Sequence, residues 1–317
     1  MLIEHNPHSF LTGDFPFLPS VPVEISAYRF EAELMFELHH EGVIGFPHGG
    51  VAMGLCLDVW QRFGRPSYPV EVNFKFGGSG VRIGESVLLS AEIGHGDNGS
   101  NLIARITKPG DKSPYLRTEI RPASVHARSD VAGSRPSGEP RKLPYYRNCF
   151  VCGHHRSIAG LQRRFRVHHQ DGSTLVTTPW ACDSEDVDRA RLFLIGENEL
   201  HPAVLISIFD ENTGWAGFME TKGAGFTVRM QFTLLRPVGN TEPLLFVSSP
   251  SGIRGSSRAP RFFSAEGKVL SMMDPGNPET VAYGKGEWLI LNFLTEQVKK
   301  NLLPEDDWQW IFSDDQR

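Results

Sequence analysis

Apolar residues recur at helical spacing over residues 201–219, HPAVLISIFDENTGWAGFM. Val204, Leu205, Ile208, Phe209, Trp215, Ala216 and Met219 make a wide apolar stripe, so the pattern predicts a helix with a broad apolar face. Pro202 suits its first turn, where a backbone N–H has no intrahelical acceptor. A narrow second stripe holds Ser207, Asp210, Gly214 and Gly217. Asp210 is therefore a carboxylate in the middle of an apolar helix, with no basic residue three or four positions away to pair with. Each glycine costs roughly 1 kcal/mol of helix stability against alanine. Their presence implies that a backbone or a ligand comes close to this face.

The pattern around this helix occurs twice. In the first half, alternation predicts a strand at 31–38, a loop closing on His48-Gly49-Gly50, a helix at 51–63, and strands at 70–76, 86–95, 102–107 and 115–121. Glycine, proline, asparagine and aspartate clusters separate them, as turn sterics require. In the second half, strands at 161–167 and 173–178 flank an Asp171-Gly172 turn. An acidic insertion at 182–200, helical in part, precedes the long helix. Strands at 225–235, 244–249, 261–271 and 281–290 follow, then a short helix at 291–303 and a tail whose Trp308, Trp310 and Phe312 suit a groove. Residues 1–22 form an irregular arm. The stretch 122–146, with Pro136, Pro140 and Pro144 and no apolar period, is a linker. The expected division is an arm at 1–22, units at 23–121 and 147–291, the linker at 122–146, and a C-terminal helix and tail at 292–317. A repeated unit that cannot bury its helix alone implies that the two halves pack together, as one body with a continuous sheet.

Composition narrows the class without deciding it. Among 317 residues, 40% are hydrophobic and 22% charged, as in an ordinary soluble globular protein. A net charge of −5 argues against a nucleic-acid partner held by phosphate neutralisation. No basic segment leads into an apolar run at the N-terminus, and no stretch has the length of a spanning helix, so neither a leader nor a membrane is expected. Four cysteines in a chain this long do not make a disulfide framework, and a reducing cytoplasm is the expected location.

Several motifs in sequence order carry a family resemblance. Cys149-Phe150-Val151-Cys152-Gly153, then Gly160-Leu161 and Phe165, resembles the opening of the phenylacetate-type branch of the hotdog-fold thioesterases. His201 with Asp210-Glu211-Asn212-Thr213-Gly214-Trp215 resembles that branch's helix, Leu235-Arg236-Pro237-Val238 its corner after the next strand, and His48-Gly49-Gly50 its helix-opening motif. The resemblance spans about 30–121 and 147–290. It implies an α+β protein of two tandem hotdog units, each an antiparallel sheet wrapped around one long helix, joined as a pseudo-twofold double hotdog. It also implies an acyl-CoA thioesterase, with a coenzyme A thioester as substrate, no further cofactor, and room for a homodimer of double hotdogs.

Thioester hydrolysis needs a base or nucleophile and donors for the developing oxyanion. A carboxylate half-buried against an acyl pocket gains basicity, and N–H groups at a helix start are ready donors. The resemblance assigns these roles to Asp210 and to Gly49 and Gly50, with His48 and Thr213 beside them. For Gly49 and Gly50, tight helix packing is the plainer explanation, and for His48, holding the turn. Asp58 lies ten residues after His48, whereas Asp210 lies nine after His201, so Asp58 is expected to face elsewhere, paired with Arg62. His201 is expected to be structural, since Pro202 removes a donor beside it. The intact parts are then complementary: Gly49 and Gly50 of the first half would meet Asp210 of the second. The crevice pairing Asp58 with Pro202-Ala203 would be degenerate. Arg254, Arg258 and Arg261 are candidates for coenzyme A phosphates, or an ordinary solvated loop. Cys149, Cys152, His154 and His155 lack zinc-ligand spacing, so no metal is expected. Two rival functions are a non-catalytic acyl-thioester binding module and, less favoured, a hotdog hydratase or dehydratase.

Overall fold

The computed structural model describes residues 24–25, 29–62, 68–78, 80–96, 99–123, 139–156, 160–170, 173–181, 183–195, 197–256, 261–303 and 309–312. The N-terminal arm, most of the linker, the Asp171-Gly172 turn, Arg258 and Trp308 lie outside the described residues.

Among the described residues, thirteen strands form one antiparallel sheet. The first half contributes β1 (Glu24–Ile25), β2 (Arg29–Met35), β3 (Val70–Phe76), β4 (Ser86–Gly96), β5 (Gly99–Thr107) and β6 (Leu116–Pro122). The remainder contributes β7 (Arg141–Lys142), β8 (Arg166–Gln170), β9 (Ser173–Trp180), β10 (Gly225–Leu234), β11 (Leu244–Arg254), β12 (Phe262–Ser271) and β13 (Glu279–Ile290). Their order across the sheet is β1-β2-β4-β5-β6-β3-β10-β13-β12-β11-β9-β8-β7. Read outward from the centre, β3-β6-β5-β4-β2 repeats as β10-β13-β12-β11-β9. In each set the strand before the helix lies farthest from the midline and the strand after it lies nearest.

The seam is the β3–β10 pair, running from Val70 opposite Leu234 to Lys75 opposite Arg229. Val70, Val72 and Phe74 alternate with polar neighbours and are buried, as are Met230, Phe232 and Leu234 opposite them. Glu71 and Asn73 point the other way, where Arg121 pairs with Glu71. The period-2 pattern thus fixes one register and leaves neither half with an open edge at the seam.

Helices α1 (Gly49–Arg62) and α3 (Pro202–Thr221) lie against each other on the sheet, with α2 (Ser184–Ala190) and α4 (Asn292–Asn301) peripheral. α3 is buried almost along its length, from Pro202 to Met219. Burying each large aliphatic or aromatic side chain stabilises by about 1.5–3 kcal/mol, which outweighs the cost of its glycines. Those glycines do allow close approach. A Cβ on Gly217 would overlap the Phe263 ring, and one on Gly50 of α1 would meet the Ser207 backbone of α3. α3 starts at His201, whose ring accepts the Ala203 N–H at 3.0 Å, and ends at Lys222 in the left-handed conformation.

Two expectations need correction. The strand expected at 161–167 begins only at Arg166. Leu161 and Arg163 instead donate their N–H groups to Phe150 and Val151 carbonyls, so this apolar run packs under the Cys149–Gly153 turn. The end of the expected linker is also ordered: β7 pairs with β8, and Tyr145–Tyr146 pairs with Leu302–Leu303.

Candidate functional site

A cavity of about 460 Å³ opens where the two halves meet. Its wall is largely aromatic and aliphatic, with Phe46, Trp215, Phe226, Phe263 and Trp288 among the lining residues, and α4 covers one side through Phe293 and Val298. His48, Gly49, Asp210 and Glu211 meet at its polar end. The sequence-derived group of His48, Gly49 and Asp210 is therefore brought together, from α1 of one half and α3 of the other.

Asp210 is 6% exposed. Its Oδ1 accepts the Thr227 hydroxyl at 2.9 Å, and its Oδ2 lies 3.7 Å from His48 Nδ1. A Cβ on Gly49 would stand 2.8 Å from Oδ2, so glycine here lets the carboxylate reach the start of α1. Burial pushes the Asp210 carboxyl above the usual aspartate range, while His48, the Thr227 hydroxyl and the Gly50 N–H oppose the shift. Gly49 occupies the first helical position, where its N–H has no intrahelical acceptor. The Gly50 N–H also donates to His48 Nδ1 at 2.9 Å. Of the two glycines, Gly49 is the one that lines the cavity, and Gly50 serves close helix packing.

Thr227 is one residue that sequence reasoning missed. It sits where the β10–β13 register shifts between Thr227 and Arg229, a bulge that re-aims side chains toward the cavity. Thr213, expected beside the acid, is corrected: its hydroxyl bonds to the Phe209 carbonyl at 2.6 Å and the Asp210 carbonyl at 3.1 Å, and it does not line the cavity.

Glu211 was also missed as a site residue. His48 Nε2 lies 2.8 Å from its Oε2 and the Cys149 thiol donates to the same oxygen at 3.2 Å. Burial works against ionising Glu211, but its bonds from His48 and the two thiols hold it below the usual glutamate range. The ligand atoms of His48, Cys149 and Glu211 all lie within 4.8 Å of one another, which makes them the metal-capable group among the described residues. His154 and His155 belong elsewhere: both rings pack on Tyr145, and His155 Nε2 lies 2.9 Å from its hydroxyl.

Asp58 requires a second correction. One sequence offset carries His48 to His201, Gly49 to Pro202, Gly50 to Ala203, Leu57 to Asp210 and Asp58 to Glu211. Asp58 is the counterpart of Glu211 and not of Asp210. Its Oδ1 lies 3.2 Å from His201 Nε2, and both side chains are buried. At the position of Asp210 the first half has buried Leu57, and at the position of Gly49 the second has Pro202. Neither Asp58 nor His201 lines the cavity.

Of the three arginines, Arg254 is engaged by Glu287 at 2.7 Å and lies over the Phe262 ring at 4.2 Å. Neither Arg254 nor Arg261 lines the cavity. No helix among the described residues is long and apolar enough to cross a membrane.

No protein-family profile matches the chain. No curated protein sequence matches it either. Solved structures do. A candidate thioesterase of Novosphingobium aromaticivorans superposes with a TM-score of 0.58 at 15% identity, covering 85% of this chain and 98% of that one. A candidate thioesterase II of Thermobifida fusca gives 0.55 at 13%, covering 84% and 95%. The tesB protein of Mycobacterium avium subs paratuberculosis gives 0.54 at 11%, covering 85% and 95%. At such identities the likeness is one of fold, and with the antiparallel sheet around buried helices it gives this chain the α+β hotdog fold.

Proposed function

We propose that the chain hydrolyses an acyl thioester of the acyl-CoA class, as a fused pair of hotdog units with one working site. The carrying observation is Asp210: a buried carboxylate, held by Thr227, set against the start of α1 at the polar end of an apolar cavity. In this reading the acyl group fills the aromatic cavity, and the thioester carbonyl oxygen takes the Gly49 N–H, where the dipole of α1 favours negative charge. Asp210 accepts a proton from water as the water oxygen bonds to the carbonyl carbon. The tetrahedral intermediate then expels the thiolate, which takes that proton, leaving a carboxylic acid and a thiol. Desolvation strengthens Asp210 as a base. The matching structures described as thioesterases lend support to the reaction class.

The opposite crevice has the wrong parts for this chemistry. Leu57 stands in place of the acid, and Pro202 has no N–H to donate. The hydratase reading is disfavoured by His48. Its Nδ1, 3.7 Å from Asp210, already takes the Gly50 N–H, and its Nε2 faces Glu211, so neither nitrogen is free to move a substrate proton. A free-thiol assay over a panel of acyl-CoA chain lengths tests the reading. Thiol release by the wild type and its loss in Asp210→Asn support it. Binding without release from any member of the panel would favour the non-catalytic module.

A further inference from the structure

Cys149, Phe150, Val151 and Cys152 make a tight turn closed by the Gly153 N–H on the Cys149 carbonyl at 2.8 Å. A bond from the fifth residue back to the first makes a single helix-like turn, which sets the first and fourth side chains on one side. The Val151 and Cys152 N–H groups both point at Cys149 Sγ, at 3.4 Å each. Both thiols are free and buried, and Cys152 lines the cavity. The guanidinium of Arg156 is close enough to interact with the charge on either sulfur. In the resting protein the Cys149 thiol donates to Glu211, and the backbone donors and nearby cation ease loss of its proton when it reacts. Burial acts against ionisation of that thiol, but bonds with Cys152 and His48 bring it below the usual cysteine range, while burial raises Cys152 well above it.

A metal is the competing occupant, because His48, Cys149 and Glu211 are clustered. The helix start argues against it. In the neutral ring that a metal requires, the Gly50 N–H takes the Nδ1 lone pair, which places the ring proton on Nε2, the atom facing Glu211. A metal on Nε2 would displace that proton and uncap α1. His201 repeats both bonds, with Ala203 and Asp58, so the histidine–carboxylate pairing does not depend on these cysteines.

We propose that Cys149 and Cys152 are a reversible dithiol–disulfide site, oxidised by a hydroperoxide entering through the cavity, whose closure withdraws a hydrogen-bond donor from Glu211. In the step, a sulfur–sulfur bond forms between the two residues. The two electrons released cleave the oxygen–oxygen bond of the peroxide, and both thiol protons end on oxygen. Hydrogen peroxide gives two molecules of water. Thiol exchange with a reductant reverses it. The Cys149 thiol that donated to Glu211 is gone in the oxidised form, so the carboxylate beside His48 and Asp210 becomes easier to protonate. The disulfide itself stands independently of the proposed hydrolysis; only its effect on turnover rests on that reading.

The test exposes the reduced full-length protein to hydrogen peroxide, alkylates it in denaturant and maps the labelled peptides. The expected result is joint protection of Cys149 and Cys152, with Cys56 still labelled, and recovery of both thiols after dithiothreitol. In Cys152→Ser, and in Cys152→Ala should serine not fold, Cys149 forms no disulfide: it stays a labelled thiol or stops at the sulfenic acid. The acid limb of thermal stability should move to higher pH in the oxidised wild type, and turnover should fall on the order of tenfold, the weight of one hydrogen bond to a charged group. Turnover of the Cys152 variants, whatever its level, should not change with peroxide. Persistent labelling of both cysteines overturns the proposal, as does stoichiometric zinc in protein purified without chelator. A disulfide that leaves the acid limb in place overturns its link to Glu211. Absence of turnover on any acyl thioester would count against the proposed hydrolysis and leave the labelling and stability results to decide this site.

Discussion

His48 Nε2 lies 2.8 Å from Glu211 Oε2, across the contact between helices of opposite halves. The histidine caps its own helix through Nδ1 and reaches the partner helix through Nε2, so one ring ties the start of α1 to the middle of α3. Glu211 is ionised above its ordinary value of 4.5 and has a lower pKa when folded. A depressed folded pKa contributes stability that is present above the unfolded value and lost as pH falls through the folded one. Glu211→Gln should therefore flatten the decline in melting temperature below about pH 4.5, measured by calorimetry across the acid range. An unchanged acid slope in the variant would contradict the pairing.

The same relationship in the other half predicts a different balance at Asp58. Asn offers an oxygen that still accepts from His201 Nε2, so Asp58→Asn should leave thiol release within about twofold of wild type. Leucine offers none, and a buried ring N–H left unpaired costs about 1–3 kcal/mol. Asp58→Leu should lower the denaturation midpoint accordingly while sparing the cavity. A loss of turnover in Asp58→Asn as deep as in Asp210→Asn, at equal stability, would mean that both crevices work.

Gly49 and Gly50 should separate position from packing. A methyl on Gly50 meets the Ser207 backbone and would force α1 from α3, so Gly50→Ala should cost about 1–3 kcal/mol or more. A methyl on Gly49 meets the Asp210 carboxylate, 2.8 Å away, which a side chain can relieve by turning. Gly49→Ala should fold near normally yet lose on the order of a hundredfold in kcat, the effect of displacing a reacting group by about 1 Å. Equal stability losses in the two variants, with turnover intact in Gly49→Ala, would refute that division.

Much of what the sequence made legible was local. Alternation set the bounds of β3 correctly because Val70, Val72 and Phe74 are buried through near-neighbour geometry. Asp210 stood out because an unpaired acid in an apolar helix needs a reason. Thr227 left no such trace, since its direction depends on a bulge in the β10–β13 ladder. Thr213 misled because a helical threonine can satisfy itself on the carbonyl four residues back, as it does on Phe209. Spacing set Asp58, ten residues after His48, apart from Asp210, nine after His201, but the expected pairing with Arg62 hid that the constant offset matches it to Glu211 and that its carboxylate meets His201. Spacing was the sounder guide, since a helix fixes direction by position and not by chemistry.

The raised pKa of Asp210 gives the last prediction, and its sign can be followed for activity and stability together. As a base, Asp210 works only when ionised, so kcat/KM should fall as pH drops through its folded pKa, which lies above the ordinary value of 3.8. Thr227 bonds to the ionised form and opposes the shift. Thr227→Val should therefore move the acid limb upward, by up to about one pH unit for the loss of one hydrogen bond. For stability the folded state binds this proton more tightly than the unfolded chain. Stability on this account is fully present below 3.8 and declines as pH rises through the folded pKa. Above the folded pKa the ionised carboxylate is thus a burden that function retains. Asp210→Asn keeps an oxygen for Thr227 and removes that burden, so it should abolish thiol release with a melting temperature no lower than wild type. Parallel kcat/KM profiles and melting curves from pH 4 to 8 for wild type, Thr227→Val and Asp210→Asn decide it. An acid limb that stays in place in Thr227→Val, or an Asp210→Asn protein that melts lower while still releasing thiol, would remove Asp210 from the role of base.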